Sequence, residues 1–268
     1  MAHARYVRIA VGTDLRHAVI ESVTGGERLR LLDGAPWLGG LPTADTTAYD
    51  ARTPTVAPVS PSKIVAIGSN YRAHVMEMGR PIPLEPVLFL KPPSSVIGSG
   101  DAIVRPEGYE RTDFEGELGV VMGKRCRHVA AADALSYVFG YTIVNDVTVR
   151  DLQRRDIQFT RAKGFDTFCP IGPVVVIATG TDGSVIDPGN LKLQTRVNGA
   201  VKQDASTSDL IFDVPTLVSF ISGVMTLEPG DVISTGTPSG VGPIEPGDRV
   251  EIEIGGIGVL VNRVVAHS

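Results

Sequence analysis

Glu115 and Glu117 stand two residues apart at the start of an apolar stretch, Glu115-Gly116-Glu117-Leu118-Gly119-Val120-Val121. Strand side chains alternate, so both carboxylates leave one face. Two like charges held that close repel, and burial raises the cost. A divalent cation removes the conflict. Asp146 follows a second apolar stretch, Tyr141-Thr142-Ile143-Val144, and precedes a helix start. Three oxygen ligands without histidine or cysteine suit Mg2+ or Mn2+, with water or substrate completing an octahedron. The same spacing also suits solubility charges on an edge strand with Asp146 as a helix cap, and spacing alone leaves both readings open.

His74 and Glu77 are three apart on a short predicted helix and share a face. A carboxylate beside an imidazole orients it and raises its basicity, which general-base activation of water requires; a surface pair is the alternative. Arg150 and Gln153 share another helical face one turn after Asp146, where they can present fixed donors to an oxyanion. Lys163, in Arg161-Ala162-Lys163-Gly164-Phe165, either stabilises an enolate or carboxylate or is exposed. Ser234-Thr235-Gly236-Thr237-Pro238 leaves a strand into a turn whose backbone N–H groups suit a carboxylate. Gly240-Val241-Gly242-Pro243 lacks the Lys-Ser/Thr and the helix of a phosphate loop, and reads as a turn.

The elements that must position these residues are mostly strands. Val7–Val11 and His17–Ile20, with a turn at Thr13-Asp14, open a small β-rich unit spanning 1–57. Pro54, Pro58 and Pro61, in the stretch from Ala51 to Lys63, favour an extended connection. The second unit is then 58–268. It opens with a strand, Lys63–Ile67, and a short helix, Tyr71–Met78, capped by Ser69 or Asn70 and stopped by Gly79. Val87–Lys91, Glu117–Met122 and Tyr141–Val144 read as strands and Ala130–Val138 as a helix. Thr148 is placed to cap a helix running to about Gln158. Asp213, with Pro215 in the first turn, starts a helix ending near Gly223. Asp231–Thr235, Arg249–Ile254 and Val259–Val265 are strands, the last two joined at Gly255-Gly256.

The composition narrows the classes. A net charge of −5 gives no basic footprint for nucleic acid. No run of about 18 apolar residues is present, so no membrane span is expected. The N-terminus shows no basic segment followed by an apolar core, and Cys126 and Cys169 sit in no metal-type spacing. A reduced, cytoplasmic protein is the expectation.

In order and in register, six segments resemble the fumarylacetoacetate hydrolase superfamily. They are Gly68-Ser69-Asn70-Tyr71 with His74 and Glu77; Pro86 to Pro92; Glu115 to Val121; Asn145 to Gln153; Ala162 to Asp166; and Thr235 to Pro238. The resemblance runs from about Lys63 to Val265. It implies an α+β, mostly β fold: a mixed β-roll with a few helices in the C-terminal unit, usually in a homodimer. It implies Mg2+ or Mn2+ on Glu115, Glu117 and Asp146, and a His74–Glu77 dyad on a lid-like helix that activates water. It also implies Lys163, Gln153 and Arg150 beside the developing enolate, and Thr237 against the substrate carboxylate. The expected substrate is a small 2-oxo acid or its enol. Hydrolytic C–C cleavage of an acylpyruvate is the main expectation. A 2-hydroxyhepta-2,4-diene-1,7-dioate isomerase or an oxaloacetate-type decarboxylase is the alternative, and a catalytically silent metabolite-binding relative the non-enzymatic one. Ser69 stands where some relatives acting on short oxo-dicarboxylates carry arginine, which weighs against oxaloacetate.

Overall fold

The computed structural model describes residues 3–50, 53–77, 79, 81–180 and 183–267. Met1, the Ala51 end of the proline-rich connection and Met78 at the expected end of the first helix lie outside them. Strand is the predominant secondary structure, as expected. A 12-stranded sheet has the spine Pro42–Tyr49, Gly26–Leu32, Asp14–Val23, Arg5–Val11, Cys169–Ile177, Val138–Asn145, Gly116–Met122, Val232–Ser234, Ile64–Gly68 and Val87–Lys91. The N-terminal strands join it through Arg5 and Tyr6, which pair with Val176 and Val175. Tyr6 packs edge-on against Trp37 and Phe139, so the first unit also shares apolar contacts with the second.

The three central strands are rich in valine and isoleucine and buried on both faces. Their alternation sorts them between two apolar layers. Leu118, Val120 and Ile143 face Leu193, Ile252 and Leu260 of a second, five-stranded sheet. Val121 and Val144 face the opposite way with Tyr6, Leu32 and Ile171. Glu117 and Asp146 share this second face by the period of two, at the strand ends where apolar packing gives way to polar groups. Gly116 and Gly119 make room for neighbouring strands: a Cβ would meet Thr195 Oγ1 at 2.4 Å from Gly116 and Thr142 Cγ2 at 2.8 Å from Gly119.

The helix Val214–Val224 forms as its signals predict. Asp213 accepts a hydrogen bond from the Thr216 N–H at 2.9 Å, and Val214, Leu217, Val218 and Ile221 make one buried stripe. Two expected helices differ. Ala131–Tyr137 is 3-10, not α-helical. Thr148 does not cap a helix: Thr148–Val149 is a short strand against Thr112–Phe114, and the Thr148 hydroxyl donates to Asp146 O. The helix that follows is only Arg150–Arg155, because Asp156 turns extended and its carboxylate is taken by Arg161 at 2.6–2.7 Å. Cys126 and Cys169 are both buried and free.

Candidate active site

Backbone pairing brings the three acids together. Gly116 pairs with Asn145 and Glu117 with Val144. The ladder continues one step further: the Asp146 N–H donates to Glu115 O at 2.9 Å, and Asn145 Oδ1 accepts from the Glu115 N–H at 2.9 Å. Asp146 is thereby fixed opposite Glu115. One carboxylate oxygen from each of Glu115, Glu117 and Asp146 lies within 4.8 Å of the others, and all three residues are buried. Glu117 Oε2 is clasped by the Ser234 hydroxyl at 2.5 Å and the Gly236 N–H at 2.8 Å. The turn amide read from the sequence as a carboxylate binder therefore holds a protein carboxylate.

Two almost fully buried lysines answer this negative charge. Lys163 Nζ lies 2.9 Å from Glu115 Oε2 and 2.5 Å from Asp146 Oδ2, and 4.8 Å from the centre of the Phe89 ring. Lys91, which sequence reasoning left without a role, lies 2.7 Å from Asp146 Oδ1 and donates to Lys163 O at 2.5 Å. Its one sequence signal was a lysine ending the apolar strand Val87–Lys91. Burial without partners would neutralise both amines. At Lys163 burial favours the neutral form, but Asp146 and Glu115 outweigh it and raise the amine's pKa. Burial pushes the Glu115 carboxyl up, while Lys163 and Arg150 more than offset it and bring it to about 2. At Glu117 burial first, then Asp146 and Glu115, outweigh the Ser234 hydrogen bond and Lys163 and push it well above the carboxylate range.

Arg150 is engaged at each of its nitrogens: Nε with Asp113 Oδ2, Nη2 with Glu115 Oε1 and Nη1 with Gln153 Oε1, all at 2.7 Å. The Thr237 hydroxyl donates to Gly116 O at 3.0 Å and accepts from Gln203 at 2.8 Å. His74 Nδ1 is 3.4 Å from Glu77 Oε2, and Glu77 is half-exposed. A cavity of about 30 Å³ lies over the carboxylates. Glu115, Glu117, Arg150, Gln153, Lys163 and Thr237 line it together with His74, Ser69 and Phe89, whereas Asp146 and Glu77 stand behind the wall. The helix Arg72–Glu77 that carries His74 is rooted by Asn70. The fully buried Asn70 amide donates to Phe212 O at 3.0 Å and Thr235 O at 2.7 Å, and accepts from the Phe212 N–H at 2.8 Å.

The donor set fits a hard divalent cation: three convergent oxygens, no nitrogen or sulfur, and a gap between Glu115 and Asp146 that already holds a positive charge, the Lys163 ammonium.

Comparison with known proteins places the chain in a family. The sequence profile of the fumarylacetoacetate (FAA) hydrolase C-terminal family matches residues 63–265. The chain belongs to the fumarylacetoacetate hydrolase family. A 5-carboxymethyl-2-hydroxymuconate delta-isomerase from Mycobacterium smegmatis superposes with a TM-score of 0.89 at 43% identity, over 98% of this chain and 100% of that one. A 2-hydroxyhepta-2,4-diene-1,7-dioate isomerase from Mycobacterium marinum does so with a TM-score of 0.88 at 44% identity, over 98% and 99%. The oxaloacetate tautomerase YisK of Bacillus subtilis is 47% identical over 220 residues, 78% of this chain and 72% of YisK. Members of the fumarylacetoacetate hydrolase family are enzymes, and these three relatives are named as two isomerases and a tautomerase.

Proposed function

We propose that this chain is a Mg2+- or Mn2+-dependent isomerase or tautomerase that moves a proton between carbon 3 and the oxygen on carbon 2 of a small 2-oxo acid. The observation that carries the reading is the buried convergence of Glu115, Glu117 and Asp146 on one point beside a protonated lysine. A divalent cation held by these three residues supplies Lewis-acid neutralisation of negative charge on the 2-oxo acid. The side chains do the rest. Lys163 holds its proton at Nζ under the influence of Asp146 and Glu115, so it serves as a donor toward the oxygen on carbon 2 and not as the base. His74, on the cavity wall with Nδ1 turned to Glu77, takes the proton from carbon 3 and delivers it, through solvent, to the oxygen on carbon 2 that Lys163 holds by a hydrogen bond; ketonisation runs the same transfer in reverse. Gln153 offers a further donor. Phe89 and Phe159 wall the cavity and keep water from the reacting carbon.

The similarity to an oxaloacetate tautomerase and to two isomerases favours proton relocation over C–C hydrolysis, the main expectation from sequence, and returns oxaloacetate to the candidate substrates despite Ser69. Hydrolysis of an acylpyruvate is the second reading. It is favoured by the His74–Glu77 pair, which suits activation of water. We also propose a homodimer, which light scattering at micromolar concentration tests.

The deciding experiment supplies purified protein with Mg2+ or Mn2+ and follows ultraviolet absorbance. Oxaloacetate prepared in its enol form, a hydroxymuconate, acetylpyruvate and fumarylpyruvate are compared. Faster ketonisation of the first or isomerisation of the second, abolished by chelation, supports the proposal. Turnover confined to the acylpyruvates replaces it with the hydrolytic reading, and no metal-dependent turnover of any of the four overturns both.

A further inference from the structure

Asp113 lies outside the acidic triad, yet it is fully buried. It sits mid-strand in Thr112–Phe114, pinned between Thr148 on one side and Pro243 on the other. A buried carboxylate in this position needs cationic partners, and it has two. Arg111 grips it with Nε at 2.7 Å from Oδ1 and Nη2 at 2.9 Å from Oδ2. Arg150 adds Nε at 2.7 Å from Oδ2.

The grip on Arg150 has a chemical consequence two bonds on. A guanidinium has only donors, so the atom of Gln153 that meets Arg150 Nη1 at 2.7 Å is the amide oxygen. The amide is planar and two-ended. With its oxygen turned to Arg150, the end left for the cavity that Gln153 lines is the NH2 group. An unheld Gln153 would present oxygen or nitrogen with similar ease, and an oxygen there would repel a developing oxyanion.

We propose that Asp113 is a positioning residue which, through Arg150, locks Gln153 as a hydrogen-bond donor to the reacting oxygen. Arg150 belongs to the same device: its three nitrogens serve Asp113, Glu115 and Gln153, so it orients protein groups at the edge of the cavity. The catalytic part of this inference rests on the 2-oxo acid reading above; the positioning part does not.

The test is a double-mutant cycle of Asp113→Asn with Gln153→Ala in the Mn2+-loaded enzyme. In Asp113→Asn the negative charge that holds both guanidiniums is lost while volume is kept, and the new NH2 must face Arg111 or Arg150, donor against donor. The expected loss in kcat is about ten- to a hundredfold, the range for residues that orient a ligand's neighbours. KM and the Mn2+ dissociation constant change by less than about threefold, and the double variant is no slower than Gln153→Ala alone. A general structural role gives additive losses with weakened Mn2+ binding, and that result overturns the proposal, as does unchanged kcat in folded Asp113→Asn. If Asp113→Asn does not fold, Arg150→Lys, which keeps the charge and loses the fork, enters the same cycle with the same expectations. A readout independent of turnover separates this inference from the functional one. The Arg150 Nε–H, followed by 15N NMR without substrate, exchanges slowly in the native enzyme and at least tenfold faster in Asp113→Asn. An unchanged exchange rate overturns the positioning role whichever acid is the substrate.

Discussion

Replacing Glu117 by glutamine separates the cation site from the rest of the fold. Its carboxylate oxygen lies within 4.8 Å of those of Glu115 and Asp146. At an effective dielectric near 20, two unit charges at that distance repel by at least about 3.5 kcal/mol. Without a cation the folded protein avoids this by keeping Glu117 protonated, as burial, Asp146 and Glu115 together require. The folded pKa therefore lies above that of the unfolded chain, and between the two values the folded state holds a proton the unfolded chain has released. Stability of the metal-free native protein falls as pH rises through that window. Glu117→Gln has no proton to hold, and its amide oxygen can accept the same two hydrogen bonds from Ser234 and Gly236. The metal-free variant should therefore gain on the metal-free native protein as pH is raised from about 5 to 7. With Mn2+ at a hundred times its dissociation constant, the native protein should gain about 2.7 kcal/mol. That corresponds to roughly 5–11 °C in melting temperature for a chain of this size. The variant should lose nearly all of this gain. Thermal unfolding after chelation, with and without added Mn2+ at several pH values, measures both effects. A variant less stable than the native protein when both are metal-free at pH 7, yet still raised by Mn2+ to the same degree, would refute the assignment of Glu117 and the electrostatic argument with it.

Lys91→Met should cost about 3–5 kcal/mol in chemical denaturation, because it leaves Asp146 Oδ1 and two backbone carbonyls without their buried cation; a loss below 1 kcal/mol would show the lysine to be dispensable. His74→Ala should slow proton relocation by about 10²–10⁴-fold and leave Mn2+ affinity, read by calorimetry, within a few-fold; collapse of metal binding would make His74 a ligand. The helix Arg72–Glu77 should exchange its amides quickly in the substrate-free protein, because the cavity of about 30 Å³ beneath His74 is small for a four-carbon acid and local opening of this short helix would enlarge it; strong protection there contradicts the idea.

Much of the candidate site was legible because it lies where local patterns are strongest. Glu115 and Glu117 are separated by the strand period, so alternation puts those two on one face; Asp146 ends another apolar run, and only the pairing of the two strands sets it beside them. Asp213 and Pro215 announced their helix for similar local reasons. Lys91 and Asp113 were not legible, because a single charge on a strand looks the same whether it meets solvent or an opposite charge folded in from 55 or 37 residues away. Thr148 misled for the same reason: its capping chemistry was real, but a strand partner at Asp113, fixed by the tertiary fold, claimed its backbone first. The amide of Gly236 was rightly read as a carboxylate binder, and only the fold could say that the carboxylate was Glu117.

Asn70 works as a fulcrum. Its three side-chain hydrogen bonds clamp the chain to Phe212 and Thr235, so any swing of the His74 helix pivots beyond this point and not through it. Thr235 is the neighbour of both Ser234 and Gly236, the two groups that clasp Glu117. On the metal-dependent reading proposed above, a swing of the helix would turn on the same post that holds the two groups clasping Glu117. Substrate exchange and cation exchange would then be separate clocks, the first set by the helix and the second by the breathing of the sheet, and the enzyme would stay loaded through many turnovers.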